Sequence, residues 1–377
     1  MSDDRYHRQQ LIPGWDQDRL ASATVLVVGA GALGNEVLKN LVLLGMGHLV
    51  IVDLDDVESS NLSRTLLFRE TDIGRPKAVA AAEALQEMHA AVRVTALTGD
   101  LRFVLGLARL HACTLVLGCL DNQGARSFLS RMCLLAQVPL LDGAMWAQGG
   151  EVRAFLDAEG PCFDCTLTPD ERSDLWLRFS CSSGFRVDTN PSAMATAITT
   201  TAIIGGLLAQ EAVRSVVGQS IENGNALVYS GQSCRMHRAT LHRDPICPNH
   251  APLDWSQVVP LLATADTLSA ATVLAHAHDE LGEAPTLNLG RDLLLHFTCP
   301  ACGRGEPVGR VQGLISATAA MCPHCGAERH AQVTSTVSED DAWASWTLAQ
   351  LGVQPGDVFS VHAGDQVRLF AVPFEEV

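Results

Sequence analysis

Three glycines, Gly29, Gly31 and Gly34, stand in G-x-G-x-x-G spacing directly after the apolar run Thr24-Val-Leu-Val-Val. That spacing makes a tight turn from strand into helix and lets a phosphate approach the backbone at the helix N-terminus. Asp53 follows 19 residues after Gly34, where a β-α-β nucleotide unit places an acid on the ribose hydroxyls. These features alone say only nucleotide, and a dinucleotide dehydrogenase is their default reading. Asn61, Arg64 and Lys77 lie beyond the acid. A dehydrogenase neutralises its pyrophosphate mainly with backbone N–H groups, so this set suits a longer, more negative triphosphate that is held and cleaved. Asp121 and Asn122 follow another apolar run, Thr114-Leu-Val-Leu-Gly118, at the strand end where open parallel sheets bind ligands. The plainer reading of Asp121 is an N-cap for the next helix.

The 12 cysteines carry a second chemistry. Cys162 and Cys165 form one hook, and Cys247-Pro-Asn-His250 forms another. Two hooks of two ligands fit one tetrahedral Cys₃His zinc site; a redox-active pair would sit at a helix start near a β-α-β unit. Cys299-Pro-Ala-Cys302-Gly and Cys322-Pro-His-Cys325-Gly, with 19 residues between the inner cysteines, read as a zinc ribbon. His324 falls outside that ligand set. Cys181 lies in the polar stretch Phe179-Ser-Cys181-Ser-Ser-Gly184, before a long apolar helix. A thiol there is more available than one in a strand, and it is a nucleophile if its pKa is lowered, an inert side chain otherwise. Cys113, Cys119 and Cys133 lie in apolar surroundings and read as packing.

These residues need an alternation of strands and helices to hold them. Thr24–Gly29, Leu49–Asp53, Val92–Leu97, Thr114–Gly118, Val138–Asp142 and Glu151–Asp157 read as strands. Gly149-Gly150 reads as a turn. Helices are expected over Glu36–Leu44, Ala78–His89, Leu101–Leu110, Gly124–Leu135 and about Ala193–Val217. The fold class is α/β: a Rossmann-like, mostly parallel sheet with flanking helices, plus a C-terminal zinc ribbon and a small α+β module. The expected divisions are an α/β nucleotide-binding domain over 1–250, a helical connector over 251–290 (Asp254–Pro260 and Ser269–Leu281), the ribbon over 291–332, and the module over 333–377. In that module Trp346–Gly352 reads as helix, and Val358–His362 and Gln366–Phe374 as strands. A net charge of -16 argues against a nucleic-acid surface. No apolar run reaches the roughly 18 residues of a membrane span, and the start lacks a signal core. A cytoplasmic protein is expected.

The segment Gly29–Lys77 resembles the adenylation domain of ubiquitin-activating enzymes and their bacterial relatives, the ThiF and MoeB adenylyltransferases. The run Leu38-Lys-Asn-Leu-Val-Leu-Leu-Gly45 is closer to the eukaryotic members. The resemblance implies ATP and Mg²⁺ as ligands and structural Zn²⁺, with Asp121 and Asn122 at the nucleotide and Asp121 holding the Mg²⁺. It implies that Arg8, in Tyr6-His-Arg8-Gln9, reaches the γ-phosphate from the other subunit of a homodimer. It also matches Cys181 to the thioester cysteine of some members, and the two hooks to a structural zinc whose ligands are usually all Cys, so that His250 is a variation. Gly118 departs from the Asp often found there, and Thr65 from a common Gln.

The function expected is ATP-dependent adenylation of the C-terminal glycine of a ubiquitin-like protein. A thioester on Cys181 and transfer to a conjugating-enzyme-like carrier would follow, in a bacterial conjugation system. Activation of a sulfur-carrier protein for thiamine or molybdenum cofactor synthesis uses the same adenylation and stands as the alternative. An NAD-dependent oxidoreductase and a non-catalytic scaffold are the readings from other classes.

Overall fold

The computed structural model describes residues 5–179, 197–281 and 284–374. Cys181 lies outside the described residues, as does the start of the helix expected from Ala193. The chain opens with two short helices, α1 (His7–Gln10) and α2 (Gln17–Ser22). It then alternates through β1 (Thr24–Val28), α3 (Ala32–Leu44), β2 (His48–Asp53), α4 (Lys77–Met88) and β3 (Arg93–Thr98). Next come α5 (Leu101–Val104), α6 (Leu107–His111), β4 (Leu115–Gly118), α7 (Gln123–Ala136), β5 (Leu140–Trp146) and β6 (Gly149–Phe155). The first half closes with α8 (Pro169–Phe179), α9 (Ile198–Val216), β7 (Asn225–Ser230) and β8 (Arg235–Thr240).

Eight strands form one sheet in the order β3-β2-β1-β4-β5-β6-β7-β8. The first five are parallel, and β6 to β8 continue antiparallel. The chain runs outward from β1 through β2 to β3, then returns to place β4 on the other side of β1. The sheet therefore switches direction between β1 and β4, the place where such sheets open a ligand crevice. β1, β2 and β4 are buried nearly throughout, which is why they read as unbroken apolar runs rather than alternating ones. One core packs α3, α4 and α9 on one face; the other lies under α5, α6 and α7.

The second half is β9 (Val258–Pro260), α10 (Ala270–Leu281), β10 (Thr286–Thr298), β11 (Gly305–Val311), β12 (His330–Ser338), β13 (Val358–Ala363) and β14 (Gln366–Ala371). These strands make a second, six-stranded sheet, β11-β10-β13-β14-β9 with β12 on β10. It draws strands from all three stretches expected as connector, ribbon and module. The long β10 joins them, because its first residues pair with β13 and its last with β11.

Local differences from the sequence expectations have identifiable causes. The helix expected over Leu101–Leu110 breaks in two at Gly106, which starts α6 as its N-cap. Gly149-Gly150 is not a turn but the start of β6, paired with Trp146 and Met145. Asp254–Pro260 is a single 3₁₀ turn leading into β9, capped by the Asp254 side chain. No helix forms at Trp346–Gly352; the chain there makes turns after the 3₁₀ segment Ala342–Ser345.

The two halves touch through α5, α6 and α7. Ala108 N donates to Gly356 O at 2.8 Å, and the Arg109 guanidinium lies 4.8 Å from the Phe374 ring centroid. Trp255 stacks on His111 at 3.8 Å and donates from Nε1 to Leu135 O.

Candidate nucleotide site and metal centres

The glycine turn lies at the C-terminal end of β1, beside the Cys119–Asn122 strap that leaves β4. Gly29 has φ +97°, and a Cβ there would come within 2.5 Å of Cys119 O. At Gly34 a Cβ would stand 1.8 Å from Gly29 O. The protein's own packing therefore forces glycine at both places. Gly31 is different: a Cβ there would meet nothing within 4 Å. It is also the N-cap of α3, with no side chain capping the helix. The first N–H groups of α3 thus have no side-chain cap, as anion binding at a helix N-terminus requires.

Asp53 ends β2 beside this turn. Its carboxylate accepts hydrogen bonds from Ala30 N at 2.6 Å and Asp55 N at 2.8 Å. Burial pushes its pKa up, opposed by those N–H groups and by the charge of Lys77. Lys77 opens α4, is buried, and places Nζ 2.8 Å from the more exposed Asp55 carboxylate. Asn61 is buried, with Oδ1 accepting from Glu58 N. Thr65 donates its hydroxyl to Asn61 O, so the threonine at this departure secures the asparagine's backbone. Arg64 is half-buried and donates to Ser60 O at 2.6 Å.

Asp121 and Asn122 divide two roles that the sequence left open. Asn122 caps α7, its Oδ1 accepting from Ala125 N at 2.7 Å. Asp121 is exposed, and no partner of its carboxylate is found among the described residues. Arg8 is exposed on α1, at the opposite end of α3. Neighbouring Gln9 donates to Leu44 O, the last carbonyl of that helix. The 13 residues of α3 put Arg8 about 20 Å from the phosphate turn of its own chain.

Two features of this corner escaped the sequence reading. Asn35, buried on α3, accepts from Leu66 N and Leu67 N and ties the segment after Asn61 to the phosphate-turn helix. Arg126 and Asp142 form a buried ion pair below Asp121. Asn35 was legible as a lone polar residue on an apolar helix face; the pair, from two separate elements, was not.

Both sets of expected zinc ligands converge, each with its donor atoms within 4.8 Å of one another. In the first, Cys162 Sγ lies 3.7 Å from both Cys165 Sγ and Cys247 Sγ. Four ligands about 2.3 Å from one zinc ion require sulfur separations close to that. His250 holds Nδ1 against Ala158 O at 3.0 Å, leaving Nε2 turned toward Cys165. This is how a metal-binding histidine is oriented, so His250 fits the fourth position. The crowded thiols titrate apart: a hydrogen bond with Cys162 lowers Cys165 to about 4, and Cys162 itself is raised. In the ribbon, Cys299 and Cys325 are 3.5 Å apart and Cys302 and Cys322 3.8 Å. Both donor sets suit zinc.

The family model described as ThiF family matches residues 5–249. The chain belongs to the ThiF family. It is 35% identical over 254 residues to a sulfur carrier protein adenylyltransferase of Thermus thermophilus, covering 65% of this chain and 89% of that protein. It is 31% identical over 248 residues to the molybdopterin-synthase adenylyltransferase of Escherichia coli, covering 64% and 94%. Likeness to the SUMO-activating enzyme subunit 2 of Dictyostelium discoideum, 38% over 149 residues, covers 39% of this chain and 22% of that one. Among solved structures, Escherichia coli MccB with ATP superposes with a TM-score of 0.54 at 18% identity, over 67% of this chain and 75% of that one, and speaks for the fold. This ThiF-family chain is thus of the adenylyltransferase class, with its C-terminal third, from residue 250 on, beyond the family match. Two of these relatives are named for sulfur-carrier and molybdopterin-synthase chemistry and one for SUMO activation. No helix among the described residues is long and apolar enough to cross a membrane.

Proposed function

We propose that this chain adenylates the C-terminal glycine carboxylate of a ubiquitin-like sulfur-carrier protein. The observation that carries the reading is the uncapped N-terminus of α3 at Gly31, with room above it, and the exposed Asp121, for which the described residues offer no partner, on the strap that packs against Gly29. A carboxylate is a poor acyl donor because oxide would have to leave. One carboxylate oxygen attacks the α-phosphorus of ATP, the bond to the bridging oxygen breaks, and pyrophosphate departs with that electron pair. The product is an acyl-adenylate.

The chain's own groups bind and orient. Asp53, anchored on Ala30 N, presents its remaining acceptor capacity to the ribose hydroxyls. The α3 N-terminus and Gly31 hold phosphate oxygens, with Asn61 and Asn122 at the rim. Lys77 exchanges Asp55 for phosphate, and Arg64 exchanges the Ser60 carbonyl. Both neutralise charge at the α-phosphorus and the leaving pyrophosphate, which accounts for most of the acceleration in such transfers. Mg²⁺, held by Asp121, would offset the triphosphate charge. Arg8, about 20 Å from its own turn, acts on a partner subunit's γ-phosphate in a homodimer. The two zinc ions are structural.

Adenylation is tested by carrier-dependent exchange of labelled pyrophosphate into ATP. Asp121→Ala should lower it about 100-fold or more. Exchange at the wild-type rate would remove Asp121 from the site.

A second reading, thioester formation on Cys181 and transfer to a conjugating-enzyme-like carrier, rests on the C-terminal sheet and ribbon lying outside the matched span. Cys181→Ala should then preserve exchange and abolish a reductant-sensitive conjugate with the ubiquitin-like protein. A surviving conjugate excludes this thiol.

A further inference from the structure

Arg126 and Asp142 meet at 2.8 Å with side chains only 9% and 2% exposed. Burying two charges is costly unless their remaining hydrogen-bonding capacity is met. Here it is met in a particular direction. Arg126 Nε donates to Leu120 O at 2.9 Å, Nη2 donates to the same carbonyl, and Nη2 also reaches Gly143 O at 2.8 Å. Leu120 immediately precedes Asp121. Because the peptide unit is planar, gripping the Leu120 carbonyl fixes the direction in which the chain enters Asp121.

The strap is held from its other side as well. Cys119 N donates to Val28 O at 2.8 Å, and Cys119 O closes against Gly29, leaving no room for a Cβ there. Cys119–Asp121 is therefore wedged between the phosphate turn and the Arg126–Asp142 pair. Asn122 then caps α7, the helix that carries Arg126, and so closes the loop. Gly118 completes the arrangement. It pairs with Asp142 across β4 and β5, and a Cβ on it would lie 2.8 Å from Asp142 Oδ1. The bare residue at this departure makes room for a carboxylate supplied by the neighbouring strand.

We infer that Arg126, seated on Asp142, is a positioning residue that sets the Asp121 carboxylate toward metal-bound phosphate, with Gly118 as the space that lets Asp142 do so. The inference rests on the metal role of Asp121 proposed above. Arg126 itself touches no reacting atom; it acts through the Leu120 carbonyl. A pair that merely joined β5 to α7 would affect folding but not the response to metal.

The test is calorimetric titration of the full, zinc-loaded chain with ATP, with and without Mg²⁺. In the wild type Mg²⁺ should tighten ATP binding. Arg126→Lys keeps the charge but loses the planar fork. It should lose about tenfold of that tightening while metal-free ATP affinity stays within about twofold. Asp142→Ser should do the same, and if it fails to fold, the double variant Gly118→Asp/Asp142→Ser returns the carboxylate from the neighbouring strand. That variant should fold and regain the Mg²⁺ response. Arg126→Lys with a wild-type Mg²⁺ response, or a folded double variant without one, overturns the inference alone. A wild type whose ATP affinity ignores Mg²⁺ overturns the metal role of Asp121 and the inference with it.

Discussion

The two cysteine clusters close the chain on different scales. Cys162 and Cys247 meet across 85 residues and bring the loop after β6 to the segment after β8, partly under cover. Cys299 and Cys325 meet across 26 residues, joining the turn between β10 and β11 to the segment that leads into β12, with Cys302 and Cys325 exposed. Loop-closure entropy grows with the logarithm of loop length, so the first closure constrains the unfolded chain by about 1 kcal/mol more. Its loss also reaches further, because Arg172 on α8 pairs with Asp244 just before Cys247 and buried Asn249 donates to Asp164. The first cluster is a clasp for the part of the chain that carries the glycine turn; the second ties together only neighbouring turns of the second sheet. Cys247→Ser should therefore cost about 3 kcal/mol or more, a drop in Tm of about 6–12 °C. Cys322→Ser should leave the main calorimetric transition within about 2 °C and expose only the ribbon to protease. Equal shifts in the two variants would erase the distinction.

The same contrast accounts for what could be read from the chain. The clasp and the ribbon were legible because packing alone seldom places four thiol and imidazole groups at that fixed spacing, whereas a tetrahedral metal requires it. The strand–turn–helix at Gly29–Gly34, with Asp53 and Lys77 nearby, was legible as geometry, since the turn, its helix and the acid bonded to it lie close together in sequence. The second sheet was not. Its central strand β10 carries Gly290 and Arg291 in mid-run and changes partners along its length, which disguises its apolar alternation. Its edge strand β12 is mostly exposed and Thr-rich, with no buried face to give it a period. The Arg126–Asp142 pair was hidden for another reason: α7 and β5 contribute one residue each, and only the fold makes them neighbours.

Glycines sharpen the comparison between inward and outward demands. The largest effect among them is expected at Gly34, where an added Cβ meets the Gly29 carbonyl at 1.8 Å and the backbone must move. Gly34→Ala should cost about 3 kcal/mol and impair ATP binding together with stability. A smaller effect is expected at Gly106, where the two halves touch and a Cβ would meet the Gly356 backbone at 2.1 Å. Gly106→Ala should loosen that contact at a cost of about 1–3 kcal/mol, seen as faster amide exchange in α6 and around Gly356. ATP affinity should remain unchanged, because the switch between β1 and β4 lies within the first half. A parallel loss of ATP affinity would make the contact part of the nucleotide site.

Gly31 should affect stability least of all. Nothing in the protein lies within 4 Å of a Cβ placed there, and its φ of -66° is open to any L residue. Gly31→Ala should leave Tm within about 1 °C, since no contact is made or broken. If the space above Gly31 is where phosphate oxygens approach the α3 N–H groups, a methyl group there holds them off, and ATP affinity should fall about tenfold. Calorimetric titration reads both quantities on one sample. A variant that is stable and still binds ATP at wild-type strength would leave this cleft without the ligand that its open helix end calls for.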